Sequence, residues 1–296
     1  MAIGAVQLTS LGSIARWMDA SVTSMLEQVV TPMVSSVTAA LLPFVTVCLS
    51  ISLVWYGWLI ATGAIPIPAM TALRKVVEIA VIVSIAGAGG LYQTRIVSTM
   101  LDLPSAMTSV FTSEPSTPSQ LLDDAANNGA EISTKINDRA PSFFSDAAKA
   151  FAFVLVSVVI TVISALLSAV GIIVLVSVKA GMGLLVVVGP LCILALLFDF
   201  TKEFFKKWLS QALYFALYSA LFMVIFSLIM SMFAMLQQGL LATTDTAEIN
   251  IFSMLTAITI FIAGAAFMLS QVSVITRQLT GGAGTGVPIP FVGRIG

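Results

Sequence analysis

The sequence predicts an all-α, polytopic membrane protein, and three observations predict it. Charged residues make up 9% of the 296 residues, against roughly 25% in a soluble domain. Apolar residues reach 58%, and the mean hydropathy is +1.06. Several apolar runs exceed the ~18–20 residues that a helix needs to cross a bilayer. These runs are continuous rather than alternating, which argues against a β-barrel.

The elements follow in order. In 13–30, SIARWMDASVTSMLEQVV, Ile14, Trp17, Met18, Val22, Met25, Leu26, Val29 and Val30 recur at three- and four-residue steps, with Arg16, Asp19, Glu27 and Gln28 between them. This spacing predicts an amphipathic helix lying on the membrane or against a partner helix. Thr31-Pro32 is expected to end it, giving an N-terminal segment 1–32. The first two transmembrane helices occupy 33–100. The first, 33–61, ends in WYGW, whose rings suit a headgroup boundary. A connector closes on Arg74-Lys75, and the second span runs from about 76 to 100, with small residues in SIAGAGG at 84–90.

Residues 102–149 change character: Ser, Thr, Pro, Asn and Asp dominate, and seven acids face three basic residues. This is expected to be a soluble central loop, with a short helix near SQLLDDAANN that Ser119 could cap. A C-terminal bundle, 150–276, follows. Its first 49 residues, 150–198, carry one charge, Lys179. Further spans are expected at 208–236 and 251–276. The tail, 277–296, is Gly- and Pro-rich and reads as flexible or ordered by a partner.

Charge orients the chain, because Lys and Arg near span ends favour the cytoplasm. With the N-terminus periplasmic, the 102–149 loop is also periplasmic. Arg74-Lys75, the junction FDFTKEFFKKWLS (198–210) and the tail are then cytoplasmic. The inside segments carry seven basic residues and two acids, while those outside carry eleven of the 14 acids. This solution requires an odd number of crossings within 150–198. A single helix of that length would be about 73 Å, more than twice the ~30 Å hydrocarbon core. The expectation is a helix from about 146 to 178, with Lys179 at the cytoplasmic boundary. A broken or re-entrant segment then fills 180–198, interrupted at Gly181, Gly183, Gly189 and Pro190. About five crossings result, with six as the alternative.

The junction 198–208 concentrates five of the 27 charges. Phe198, Phe200, Phe204, Phe205 and Trp208 would anchor at headgroup level while Lys202, Lys206 and Lys207 meet anionic lipid or a partner. In the third span, Ser157, Thr161, Ser164, Ser168 and Gly171 recur at steps of 4, 3, 4 and 3. They form a small, weakly polar stripe suited to helix packing within the chain or to an oligomer seam.

Catalytic chemistry finds no support. There are no histidines, so an HExxH metal site has no ligands, and no aspartate lies mid-span. Cys48 and Cys192 sit in apolar runs and read as small buried hydrophobes. GGAGTG (281–286) follows a span rather than a strand and lacks the Lys-Ser/Thr of a phosphate loop. No cofactor, metal or enzymatic activity is expected.

The stretch GPLCILALLFDFTKEFFKKWLSQALYFAL (189–217) resembles the signature of the TrbL/VirB-six family, the polytopic inner-membrane subunit of type IV secretion systems. Gly189-Pro190 precede an apolar run; Phe198 to Phe205 form a charged, aromatic stretch; Trp208 opens the next span. The resemblance implies a subunit of the Gram-negative bacterial inner membrane that supports pilus biogenesis and the transfer of DNA or protein. It also implies partners: pilin, minor pilin, bitopic scaffold subunits, cytoplasmic ATPases, membrane lipid, transient substrate and a homo-oligomeric ring. The acidity of 102–149 speaks against tight DNA binding there, which needs Lys or Arg against phosphate. An assembly platform therefore fits better than a basic conduit, with a small-solute transporter or channel as the alternative.

Overall fold

The computed structural model describes residues 13–63, 69–87, 91–111, 118–138, 140, 147–244 and 251–281. Residues 1–12 and the tail beyond Gly281 lie outside the described residues. Regular structure within them is helical throughout: α1 (Ile14–Ala61), α2 (Ala69–Ala86), α3 (Val97–Phe111, entered through a π-helical turn at Tyr92–Ile96), α4 (Pro118–Asp138), α5 (Ala147–Leu194), α6 (Lys202–Thr244) and α7 (Ile251–Leu279). Four stretches are long and apolar enough to cross a membrane: Ile14–Ala61, Phe153–Leu197, Asp199–Gly239 and Leu255–Leu279. The protein is an all-helical membrane protein.

Several expectations need correction. The break at 180–198 is absent. α5 runs unbroken for 48 residues, through Gly181, Gly183 and Gly189, with Pro190 in its last turns. The helix stops only at Phe198, whose extended backbone (φ −118°, ψ 130°) separates two 3-10 turns, Ala195–Leu197 and Asp199–Thr201. Thr31-Pro32 does not end the first helix either, since α1 continues through Pro32 and Pro43 for 48 residues. In both cases tertiary packing overrides a local cost of ~1 kcal/mol per Gly and ~3 per Pro. The span at 76–100 is interrupted: α2 ends at Ala86, and the chain re-enters helix through the π turn. Segment 102–149 holds the end of α3 and all of α4, which is 21 residues long. α4 opens with Pro118 rather than being capped by Ser119, a position where the missing N–H costs nothing.

The described residues divide into two compact units. The first comprises residues up to Thr23, Pro104–Lys179 and Ala216 onward; the second comprises Ser24–Leu103 and Ala180–Phe215.

In the first unit, Ile136 of α4, Phe153, Val156, Ile160 and Ile163 of α5, Phe233 of α6 and Ile258 of α7 form a buried cluster. Phe233 stacks on Phe261 at 5.3 Å between ring centres. Along α6, Tyr218, Phe222 and Phe226 stack in series at 6.2 and 5.8 Å. α4 is amphipathic: Leu122, Ala126 and Ile136 are buried, while Asp124, Asn127, Asn128, Glu131 and Lys135 are exposed. Lys135 bonds Glu131 at 2.7 Å and holds that carboxyl below its usual range.

Asp123 of α4 fastens the start of α1. Its carboxylate accepts the Ala15 and Arg16 N–H groups at 3.0 and 3.2 Å and the Arg16 Nε at 2.8 Å. A first-turn helix N–H has no partner within its own helix, and a carboxylate there also opposes the helix dipole favourably. One turn further on, Lys179 pairs with Asp19 at 2.5 Å and donates to Thr23 Oγ1 at 2.8 Å. A periplasmic Asp19 with Lys179 at the cytoplasmic boundary is therefore excluded, because two groups in contact cannot lie on opposite sides of a bilayer.

In the second unit, the glycines of α5 mark close approaches. A Cβ at Gly183 would run into Leu26 of α1, and one at Gly181 would run into the Phe215 ring of α6.

Candidate functional site

The sequence singles out Gly189, Pro190 and the 198–208 junction. The second unit brings Gly189, Pro190 and Trp208 together around a residue that the sequence reading passed over, Tyr92. In an α-helix the N–H of residue i bonds the carbonyl of residue i−4. Pro190 has no N–H, so the Val186 carbonyl loses its normal donor. The Tyr92 hydroxyl supplies one, at 2.6 Å. Gly189 makes this approach feasible, because a Cβ there would overlap the Tyr92 phenol. Tyr92 is fully buried, and it opens the π turn. Such turns concentrate at functional positions because the wider helix re-aims a side chain.

The adjacent carbonyl, of Leu185, accepts the Trp208 indole N–H at 2.8 Å. Trp208 is only 7% exposed and packs its ring 5.6 Å from Phe205. The indole is therefore turned inward onto α5, not outward to a headgroup layer. Three distant stretches thus converge on one kinkable turn of α5: the π turn, the Gly-Pro pair and the start of α6. In a lipid-facing protein each unsatisfied backbone group costs several kcal/mol, so the Tyr92 hydrogen bond to the Val186 carbonyl offsets the donor that Pro190 removes.

The remaining junction residues face outward to different degrees. Phe198, Phe205 and Lys202 are half-buried, whereas Phe204, Lys206 and Lys207 are exposed. The charges are locally paired, Asp199 with Lys202 at 2.6 Å and Glu203 with Lys206 at 2.8 Å. α2 packs against the turn at Ala195–Leu197, and Lys75 and Glu78 lie within electrostatic range of Asp199 and Lys202. Lys75 of the first basic cluster therefore lies near the junction.

The stripe of α5 lies in the first unit, where α4 covers it. Ser133 donates to the Ser157 carbonyl and hydroxyl, each at 3.1 Å. Ser168 donates to the Leu122 carbonyl at 3.1 Å. Gly129 of α4 sits directly on Ser164, and Gly171 admits the Leu122 side chain. Thr161, half-buried, bonds the Ser157 carbonyl at 2.9 Å.

Among the described residues no group of His, Cys, Asp or Glu gathers that could hold a metal ion. Cys48 and Cys192 are free. What the arrangement can do is mechanical: it fixes the register of helices around a proline-weakened turn.

The family model of the TrbL/VirB6 plasmid conjugal transfer protein matches residues 49–272, and the chain belongs to that family. The match covers the Gly-Pro pair, Tyr92 and Trp208. The protein is thus a membrane component of conjugal transfer or type IV secretion machinery, working with its other components. No curated protein matches the chain.

Proposed function

We propose that this chain is the inner-membrane assembly platform of a type IV secretion system, non-enzymatic, supporting pilus biogenesis and substrate transfer. The observation that carries this reading is the aromatic clamp. The polar atoms of Tyr92 and Trp208, the positions that a catalytic or solute-binding reading would want free, are committed to backbone carbonyls of α5. Secondary transporters build their substrate sites from interrupted helices, and α5 is continuous through 180–194.

The basic junction at Lys202, Lys206 and Lys207 is placed in the cytoplasm, where it can meet scaffold subunits or an ATPase. α4 is placed on the periplasmic side. The protein acts in the Gram-negative inner membrane, as a ring of copies.

An in-frame deletion is expected to abolish conjugation and pilus production together. Wild-type transfer in the deletion, with solute uptake by liposomes containing the purified protein, would replace the platform by a transporter. For orientation, cysteines at Asn127 and Lys206, in a background lacking Cys48 and Cys192, are expected to label from opposite sides. Cysteines at Ala20 and Ala180, neighbours of the Asp19–Lys179 pair, are expected to label from the same side.

A further inference from the structure

Two helices of the second unit carry the same arrangement near their N-terminal ends. On α6, Lys206 is followed three and seven positions later by Leu209 and Leu213; on α2, Arg74 is followed in the same way by Val77 and Val81. Residues i, i+3 and i+7 share one face of an α-helix. Both cations are exposed, and the four apolar side chains are between 45% and 54% exposed. Each face is thus a cation heading a strip of open apolar surface about 10 Å long, at 1.5 Å per residue. The two heads are neighbours. α2 packs against the Ala195–Leu197 turn that leads into α6, and α6 begins within a stretch apolar and long enough to cross a membrane.

Charge singles out the same place. Arg74, Lys75, Lys202, Lys206 and Lys207 face Glu78, Asp199 and Glu203, a surplus of two positive charges in a chain whose net charge is −1. Lys75 is paired with Glu78, Lys202 with Asp199 and Lys206 with Glu203. The surplus is therefore Arg74 and Lys207, which make no ion pair among the described residues. Phe200 and Phe204, 82% and 61% exposed, flank the lysines.

An anion is required to balance these cations, and the apolar strips below them decide which kind. A nucleic-acid strand or an acidic peptide would meet the cations and leave Leu209, Leu213, Val77 and Val81 uncovered. A diacyl phospholipid with an anionic headgroup meets both, its phosphate at Arg74 and Lys207 and its chains on the strips. Basic clusters beside a membrane helix bind such headgroups at the worth of about 1 kcal/mol, or fivefold, per Lys or Arg. We propose that the start of α6, together with Arg74 of α2, is a binding site for an anionic diacyl phospholipid. The proposal goes beyond the platform reading and does not use it; the lipid is a partner additional to the protein contacts given there.

The test is mass spectrometry of the intact full-length protein released from detergent, after incubation with equal amounts of dioleoyl-phosphatidylglycerol and dioleoyl-phosphatidylcholine. The anionic lipid is expected to be retained in preference. Arg74→Gln and Lys207→Gln are each expected to weaken its retention about fivefold, without moving the melting temperature of the lipid-free protein, since neither side chain holds an ion pair. Lys135→Gln, an exposed lysine of α4, is expected to retain it as the unaltered protein does. Excess glycerol phosphate, the same anion without chains, is expected not to displace it. Equal retention of the two lipids, a preference that survives both variants, an equal loss with Lys135→Gln, or displacement by glycerol phosphate would each overturn the site.

Discussion

α5 is one continuous helix with two kinds of surface, and the contrast between them explains what each is for. From Ser157 to Ser168 it presents small side chains to small side chains of another helix, with one larger partner at Gly171. Ser133 meets Ser157, Gly129 meets Ser164, and Leu122 enters at Gly171. Much of the polar capacity of this stretch is met by its own backbone, as where Ser164 bonds the Ile160 carbonyl at 2.9 Å. Close approach of α4 is the purpose of this surface. From Gly181 to Pro190 the helix instead presents bare backbone to large side chains: Phe215 at Gly181, Leu26 at Gly183 and Tyr92 at Gly189. There the hydrogen bonds run from aromatic side chains to helix carbonyls. A small-on-small seam tolerates sliding by a turn, because one serine resembles the next. A phenol that must reach the one carbonyl released by Pro190 tolerates none.

The largest expected effect therefore falls on the second surface. Trp208→Ala removes a buried indole and its hydrogen bond to Leu185, a loss of about 3–5 kcal/mol for a large aromatic truncation. Conjugation frequency is expected to fall further than the membrane level of the protein, because the register of α6 on α5 is lost before the fold is. Trp208→Phe, which keeps most of the ring and loses the N–H, is expected to cost about 0.5–1.5 kcal/mol, the worth of one hydrogen bond, because the Gly189 N–H still serves the Leu185 carbonyl. If transfer and protein level fall in equal measure for both variants, the indole serves stability alone, and the two surfaces of α5 do not differ in the way argued.

The pairing of Tyr92 with Pro190 sharpens the comparison. Tyr92→Phe leaves the Val186 carbonyl buried without a donor and is expected to cost about 1–3 kcal/mol. Pro190→Ala restores an N–H four residues after Val186, so in that background Tyr92→Phe is expected to cost clearly less. A coupling above ~0.5 kcal/mol in the double-mutant cycle, measured by melting in detergent, is the signature of a shared carbonyl. Strict additivity would mean that Val186 has another donor and that the phenol is only a space-filler.

How legible this was in the sequence follows from where each partner comes from. The helical, membrane-embedded class rests on runs of apolar residues, a local property, and it stood. The Gly-Pro pair and Trp208 stood out by pattern, but their meaning did not. Gly181, Gly183 and Gly189 weaken a helix when judged by propensity alone, and the side chains that occupy the spaces they leave come from segments up to 157 positions away, as Leu26 does at Gly183. Tyr92 carried a signal that could have been read, a lone phenol after a run of small residues inside an apolar stretch, yet its target carbonyl is defined only by a proline 98 residues later. α4 was half visible. Leu122, Ala126, Ile132 and Ile136 keep helical spacing, but Asn127, Asn128 and Gly129 in its middle have poor helix propensity and hid its length. The stripe on α5 was recognisable as a packing face, whereas nothing local could name α4 as what covers it.

The smallest effects test the seam itself, through three glycines that differ in what surrounds them. Gly129→Ala drives a methyl group into Ser164, whose own backbone lies close behind, with the Cα 3.7 Å from the new carbon. Little can yield, and about 1–3 kcal/mol of overpacking is expected. Gly171→Ala meets the tip of Leu122, a flexible side chain that can rotate away, so its cost is expected to be smaller. Gly264→Ala, on α7, meets nothing within 4 Å, and replacing a mid-helix glycine there is expected to be neutral or to stabilise by up to ~1 kcal/mol. The order Gly129, Gly171, Gly264 in melting temperature is the fingerprint of α4 lying on the stripe. Should Gly129→Ala prove as harmless as Gly264→Ala, α4 leaves that face in the working protein. Ser157, Ser164 and Ser168 would then be free to form a seam between copies, and the first half of α5 would be an outward surface like the flank of α7.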